Sequence, residues 1–335
     1  MKWKTLGLGI ATGLLATSLL FGCGGGGGKG NDPGSKPTQT AGASQTTEAS
    51  QPKRSVEPSS TFKYGEKTAR IYAVKSPALP KGIVSNRNAN SKGRMVLMQD
   101  AVYAADSGGK DIKVVRIPLK DETAAEAATV ASTKAGASIG TNGKVVVYQN
   151  AADKKKFSTY DGKTAADGGA WPGATYIAGI AGTEKFVNNA ANTINILTLD
   201  KGEFSAKVLL EDYSALSGLS DATLKPVYAD GKEFFFEYDV EKGDDYLPRL
   251  IALDDKGKEL RRFEGIGEVW TDWCVTKDYV VKVASKGEVQ VFARATGKEL
   301  GKGTAANFHP MKLCLLKDNS ILVCDTEAHL FILDL

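Results

Sequence analysis

Ile251-Ala-Leu-Asp-Asp-Lys-Gly-Lys-Glu-Leu260 and Val291-Phe-Ala-Arg-Ala-Thr-Gly-Lys-Glu-Leu300 carry the same Gly-Lys-Glu-Leu at the same offset, 40 residues apart. Phe331-Ile-Leu-Asp-Leu335 falls 40 residues further on, with Asp334 at the position of Arg294. Toward the N-terminus the aligned positions are Asp254, Asp200, Asp161 and Lys120. The steps along the chain are therefore 41, 39, 54, 40 and 40 residues. A nearly fixed period of this length marks a chain built from one repeated supersecondary unit.

Each unit carries a second β-rich run upstream of its marker. These are Ala101-Val-Tyr-Ala-Ala, Lys144-Val-Val-Val-Tyr, Glu184-Lys-Phe-Val, Glu233-Phe-Phe-Phe-Glu-Tyr, Tyr279-Val-Val-Lys-Val and Ile321-Leu-Val-Cys. β-Branched and aromatic residues dominate them. Asn142-Gly143, Asp230-Gly231, Lys277-Asp278 and Asp318-Asn319 precede four of them, as hairpin turns require. No long amphipathic helix is legible in the body, and Ala124 to Ala131 falls where an outer strand is expected. Four short strands per repeat of 40 predict an all-β chain of propeller blades. Six markers predict six blades, with seven still compatible. Regular single-unit repeats argue against a β-sandwich array. The last unit ends at its third strand, so Thr68-Ala-Arg-Ile-Tyr-Ala-Val74 is expected to supply the missing outer strand and close the ring.

Leu250-Ile-Ala-Leu-Asp-Asp-Lys-Gly-Lys-Glu-Leu-Arg-Arg-Phe263 resembles a repeat of the pyrroloquinoline-quinone-type propellers. Ala252, Leu253, Asp254 and Gly257 match that repeat, as does Gly297 one unit later, while Phe263 stands where the family has tryptophan. The resemblance implies an extracytoplasmic propeller, and lipid-anchored members include a scaffold of outer-membrane protein assembly. The family's quinone enzymes are larger and need cofactor and calcium ligands that this sequence does not present. No cofactor and no metal are expected.

The N-terminus supplies an address. Lys2 and Lys4 precede an apolar run from Leu6 to Phe21, and Gly22 precedes Cys23. A basic start, a short apolar stretch and a small residue before the cut are the parts of a secretory signal. With cysteine directly after Gly22, the segment resembles a bacterial lipoprotein signal. That resemblance implies lipid on the Cys23 thiol and cleavage before Cys23. A membrane-spanning anchor is disfavoured, because the run falls short of the roughly 20 apolar residues a bilayer needs. Gly24, rather than aspartate, follows the cysteine, which favours the outer membrane where the host has one. The expected division is 1–22 signal, 23–60 lipidated tether and 61–335 propeller. The tether is Gly-, Ser- and Thr-rich and cannot bury enough surface to order itself. Its mean reach is on the order of 35 Å.

Basic and acidic residues, 43 and 39, are interspersed, which excludes a nucleic-acid footprint. Lys154-Lys155-Lys156 reads as a solvated turn. Cys274, Cys314 and Cys324 allow at most one disulfide within the body. A two-residue turn at Asp318-Asn319 would set Cys314 opposite Val323, and a three-residue turn would set it opposite Cys324. Three buried thiols remain the other reading. Gly136-Ala-Ser-Ile-Gly140 matches a nucleophile-elbow pattern but has no helix after it, and only His309 and His329 could serve as base. Asp244-Asp245 and the Asp106 to Asp111 stretch lack the spacing of a calcium loop.

In a propeller the second-to-third-strand turns and the blade-to-blade connections share one face. That places Trp171, Trp270, Trp273, Tyr246 and His309 as a candidate ligand-binding rim, with the insertion behind the 54-residue step at Glu241 to Tyr246. Two functions follow. One is a lipid-anchored module of the cell envelope that binds a protein or glycan partner and touches the membrane through lipid on Cys23. The other is an envelope hydrolase or lyase assembled from rim loops, with Asp244, Asp245, Asp272 or His309 as its titratable group. No local catalytic motif supports the second.

Overall fold

The computed structural model describes residues 52–84, 94–133, 139–173, 176–219, 222–242, 245–265, 271–284 and 286–335, with backbone alone at Lys242, Asp245, Tyr246 and Thr271. Among these residues, 26 strands form six antiparallel sheets, the blades of a propeller. β1 (Ser60–Tyr64) and β2 (Lys67–Ala73) belong to the last blade. Blade I holds β3 (Val96–Met98), β4 (Ala101–Asp106) and β5 (Ile112–Lys120), with β6 (Thr123–Ala124) and β7 (Ala128–Thr133) both on β5. Blade II is β8 (Gly140–Thr141), β9 (Val146–Gln149), β10 (Lys156–Tyr160) and β11 (Ala165–Ala170). Blade III is β12 (Ile177–Gly179), β13 (Lys185–Ala190), β14 (Thr193–Asp200) and β15 (Glu203–Leu210). Blade IV is β16 (Lys225–Ala229), β17 (Glu233–Lys242), β18 (Asp245–Asp254) and β19 (Glu259–Phe263). Blade V is β20 (Thr271–Val275), β21 (Tyr279–Ala284), β22 (Glu288–Ala293) and β23 (Glu299–Thr304). Blade VI is β24 (Pro310–Leu315), β25 (Ile321–Asp325), β26 (Leu330–Asp334), then β2 and β1. The markers fall on or beside the ends of the third strands, and six blades are present.

The first strand of each blade is innermost. First-to-second and third-to-fourth turns lie on one face, here the lower. The other connections lie on the upper face. The recurring aspartate builds the lower turns: the Asp254 side chain accepts from the Lys256 and Lys258 amides at 2.9 and 2.8 Å. Asp161 does the same with Lys163 and Thr164. Those amide donors hold both carboxyls below the usual carboxylate range.

The recurring glycine joins neighbouring blades. Gly257 has φ +78° and would set a Cβ 3.0 Å from the Leu209 carbonyl of blade III. Gly297 has φ +73° and would meet the Arg262 carbonyl of blade IV at 3.0 Å. Gly65, in the β1–β2 turn, has φ +60° and stands in the same relation to Leu300 of blade V. Only a residue without Cβ accepts both the conformation and the approach.

Six apolar clusters fill the seams. Val102, Ile117, Leu322 and Ile332 lie between blades VI and I, and Tyr103, Val114, Val146 and Tyr148 between I and II. Phe157 and Phe186 close the next seam, followed by Val187, Phe236 and Ile251. Phe235, Phe263, Trp273 and Phe292 fill the seam between IV and V, and Val281, Val291 and Val323 that between V and VI. Each large side chain fully buried there contributes about 1.5–3 kcal/mol.

β2 pairs with β26 from Arg70↔Asp334 to Ala73↔Phe331, so the N-terminal strand closes the ring as expected. Residues ahead of Ser60 also contact the body. Arg54 forms a two-pronged pair with the buried Asp334 at 3.0 and 2.7 Å and also reaches Asp318. The Ser55 hydroxyl donates to Glu122 at 2.5 Å. Residues 52–59 thus bind the lower face. A lone arginine in a low-complexity stretch carries no sequence signal for this.

The three body thiols are buried and unpaired, as one reading of the sequence has it, while the hairpin register and the place of the insertion differ from expectation. The turn after β24 spans Leu316 to Ser320, so Cys314 faces Leu322 and Cys324 faces Lys312. All three described cysteines are free and buried. The insertion behind the 54-residue step is divided. Part is the Glu211 to Leu224 connection, with a 3-10 turn at Tyr213–Ala215. The rest lengthens β17 and β18, which pair through Lys242↔Asp245. An interval between markers cannot tell one insertion from two.

Gly297→Ala is expected to destabilise the body by at least about 1 kcal/mol more than Gly143→Ala. Gly143 also has positive φ, but nothing lies within 4 Å of its would-be Cβ. Urea unfolding of the two variants measures the seam contact separately from the backbone strain.

Candidate functional site

The inner strands enclose a central cavity of about 610 Å3, lined largely by Met95, Leu97, Ile139, Ile177, Val227 and Leu313. Lower-face turn residues, including Asn142, Gly143 and Lys317, line its other end. Arg94, just before β3 of blade I, crosses the upper end. Its guanidinium pairs with Asp272 of blade V and with Glu237 of blade IV at 3.1 Å, and donates to the Trp273 carbonyl at 3.1 Å. Glu237 has no exposure, and Lys225 approaches it at 3.5 Å while binding Asp239 at 2.6 Å. The second Asp272 oxygen accepts from the Leu313 amide of blade VI at 2.8 Å. One arginine therefore ties blade I to blades IV, V and, through Asp272, VI.

This cluster stands at the upper end of a series of buried polar residues on second strands. Asn188 of β13, Glu237 of β17 and Lys282 of β21 are at most 2% exposed. Lys282 lies 5.3 Å from the Trp273 ring centroid, a cation–π contact in the seam between IV and V. Asn188 donates to the Pro172 carbonyl at 3.3 Å and accepts from Asn195.

Of the expected rim residues, Trp171 and His309 lie on the upper face and Trp273 is buried in a seam. Trp171 lies on the upper face between β11 and β12, half-buried against the Phe157 and Phe186 cluster, and its amide donates to the Lys155 carbonyl at 2.7 Å. His309 precedes β24 on the same face and is exposed. Tyr246 pairs through its backbone with Glu241 near the tip of the long blade IV hairpin. Trp270 and Asp244 lie outside the described residues, as do residues 136–138 of the Gly-x-Ser-x-Gly pattern. Trp273 is not on the rim. It is 2% exposed inside β20 and packs against Phe292 at 6.1 Å between centroids. The alternation of β20 turns its ring into the seam. Asp272 is buried in ion pairs and sits where it fastens blades.

Burial pushes the Cys314 and Cys324 thiols up to about 12, and Cys274 is raised as well. Among the described residues, no group of three or more metal-ligating side chains converges.

No protein-family model matches the sequence, and no curated protein matches it. Solved structures that resemble the chain include BamB from Moraxella catarrhalis, 10% identical, covering 72% of this chain and 82% of that one with a TM-score of 0.42. The WD40 β-propeller domain of Doa1 is 12% identical over 83% of this chain and 96% of that one, with a TM-score of 0.44. The computationally designed protein Ika8 is 16% identical over 72% and 70%, with a TM-score of 0.42. Likeness at this level says nothing of what the chain binds, and the propeller stands on its own sheet order.

Arg94→Ala is expected to cost about 3 kcal/mol in urea unfolding, because it takes the guanidinium away from two buried carboxylates, Glu237 and Asp272. Glu237→Gln added to that variant should recover part of the loss. A cost under about 0.5 kcal/mol, as for a surface pair, would place Arg94 outside the ring's supports.

Proposed function

We propose that this chain is a lipid-anchored, extracytoplasmic binding module of the cell envelope, and that its partner docks on the upper face. The observation that carries the reading is the asymmetry of the two faces. The lower face holds short turns and receives the incoming chain, with Arg54 fastened between Asp334 and Asp318. The upper face carries the extra segments of the repeat: the Glu211 to Leu224 connection and the lengthened β17–β18 hairpin. Surface added to one face of an otherwise regular ring is surface available for recognition. Trp171 and His309 lie on that same face. The Cys23 signal and the tether supply the address: a body held near a membrane through lipid and free to tilt.

The binding reading is favoured over the enzymatic one by the state of Asp272, which is committed to Arg94 and the Leu313 amide. A proton-transfer group must be reachable by substrate.

Cys23→Ser is expected to abolish metabolic lipid labelling and leave the signal uncleaved. Wild-type protein that behaves as a water-soluble species with an unmodified N-terminus would refute the anchoring. For docking, the full chain is titrated against purified envelope proteins and glycans. Trp171→Ala and His309→Ala should weaken the interaction about tenfold or more at a true anchor point. Lys144→Ala on the lower face should leave it unchanged. Equal effects from both faces would overturn the assignment of the upper face.

A further inference from the structure

The blade IV hairpin outruns its own sheet. β16 begins at Lys225, which pairs with Glu237, and β19 ends at Phe263, which pairs with Leu250. Beyond those rungs β17 and β18 continue alone, from Tyr238↔Arg249 to Lys242↔Asp245. Five residues of strand extend about 17 Å.

Backbone direction along β17 is fixed by a hydrogen bond at its base. The Glu233 carbonyl accepts from the Asp230 amide, on the side toward β16. Strand alternation then turns the backbone groups of Glu237, Asp239 and Glu241 the same way. The prolines agree. Pro226 faces Phe236 and Pro248 faces Asp239, both rungs at which the missing N–H points away from β17. Glu237 is matched by Lys225. Asp239 and Glu241 lie past the end of β16, and among the described residues their N–H and C=O groups have no backbone partner. Pro248 removes a donor from the opposite edge of the ribbon and blunts it. The β17 edge keeps both of its outward donors, and the opposite edge has lost one.

We propose that the open edge of β17 at Asp239 and Glu241 accepts an extended segment of a partner protein as an added strand, with basic residues at alternate positions. The proposal rests on the binding-module reading and names its recognition mode. The added strand would continue the line of β16 above the upper end of the channel, and main-chain hydrogen bonds would hold it. Charge selects the occupant. Two copies of this ribbon pairing about Val240 would set Asp239 against Glu241, and like charges directly opposite are destabilising. A basic strand reverses that sign. Lys225 already binds Asp239 at 2.6 Å, and Glu241 is exposed. Val240, 37% exposed on the other side of the ribbon, offers an apolar contact to the alternate residues of the partner.

The test follows amide hydrogen exchange of the full chain with a synthetic, end-capped peptide of alternating lysine and valine as probe. The Asp239 and Glu241 amides should slow several-fold with peptide, while Val240, already bonded to β18, changes little. A peptide N-methylated at alternate amides keeps the charge but cannot complete the ladder, and it should give no slowing. Glu241→Pro removes an outward donor without breaking a bond to β18, and should abolish the protection. Asp239→Lys combined with Glu241→Lys should transfer the response to an alternating glutamate and valine peptide. Slowing by the N-methylated peptide equal to that by the parent, or no slowing with millimolar parent peptide, would overturn the strand addition. If Trp171→Ala and His309→Ala still weaken partner binding in that case, the module reading stands and only this mode of recognition falls.

Discussion

Everything in this ring depends on how closely one blade's outer strand can approach the lower turn of the next. At three seams a carbonyl comes so near a glycine that a Cβ there would sit 3.0 Å away. At two others an amide of the outer strand or the segment following it donates to the turn instead: Gly169 to Gly202 at 2.8 Å and Lys75 to Glu122 at 2.9 Å. These contacts fix the rotation between neighbouring blades, and six equal rotations must sum to a closed circle. The apolar seams supply the larger share of the stabilisation. They are non-directional, and would tolerate a small slide that the turn contacts do not.

Closure uses the same device. β1 and β2 are not a repeat by sequence, yet Gly65 in their turn meets Leu300 as Gly257 meets Leu209. The N-terminal hairpin therefore reproduces the lower turn that blade VI lacks. Phe62 and Tyr64 of β1 enter the apolar cluster between blades V and VI. Arg54 then locks the segment ahead of β1 to the lower end of β26.

The fold was legible because its determinants are periodic. Gly257 and Gly297 recur since each faces the same steric problem, and Asp161 and Asp254 recur since each caps the same turn. The site was not legible in that way. Arg94 acts through three partners that lie 143 to 179 residues away in sequence, and no local pattern announces such a contact. A weaker signal was present. Phe234-Phe-Phe-Glu237-Tyr and Tyr279-Val-Val-Lys282-Val each interrupt an apolar run with one charge, and a buried charge requires a partner. Trp273 misled for the converse reason. Tryptophan near a rim suggests recognition, but Phe235 of the same cluster belongs to the neighbouring blade, and only the packed seam brings it there.

The three body thiols acquire a use from their positions. Cys274 lies in the seam between blades V and VI, and Cys314 and Cys324 in the seam between VI and I. These are the two borders of the blade that the N-terminal hairpin completes. Each thiol is shielded and held protonated by burial, so reagents that need thiolate find none in the closed ring. Cys274 and Cys314 also border the central cavity, so modification of Cys324 is the one that would report separation of blade VI from blade I. The chain thus carries its own chemical probe of ring opening, placed at the one blade assembled from both ends of the body.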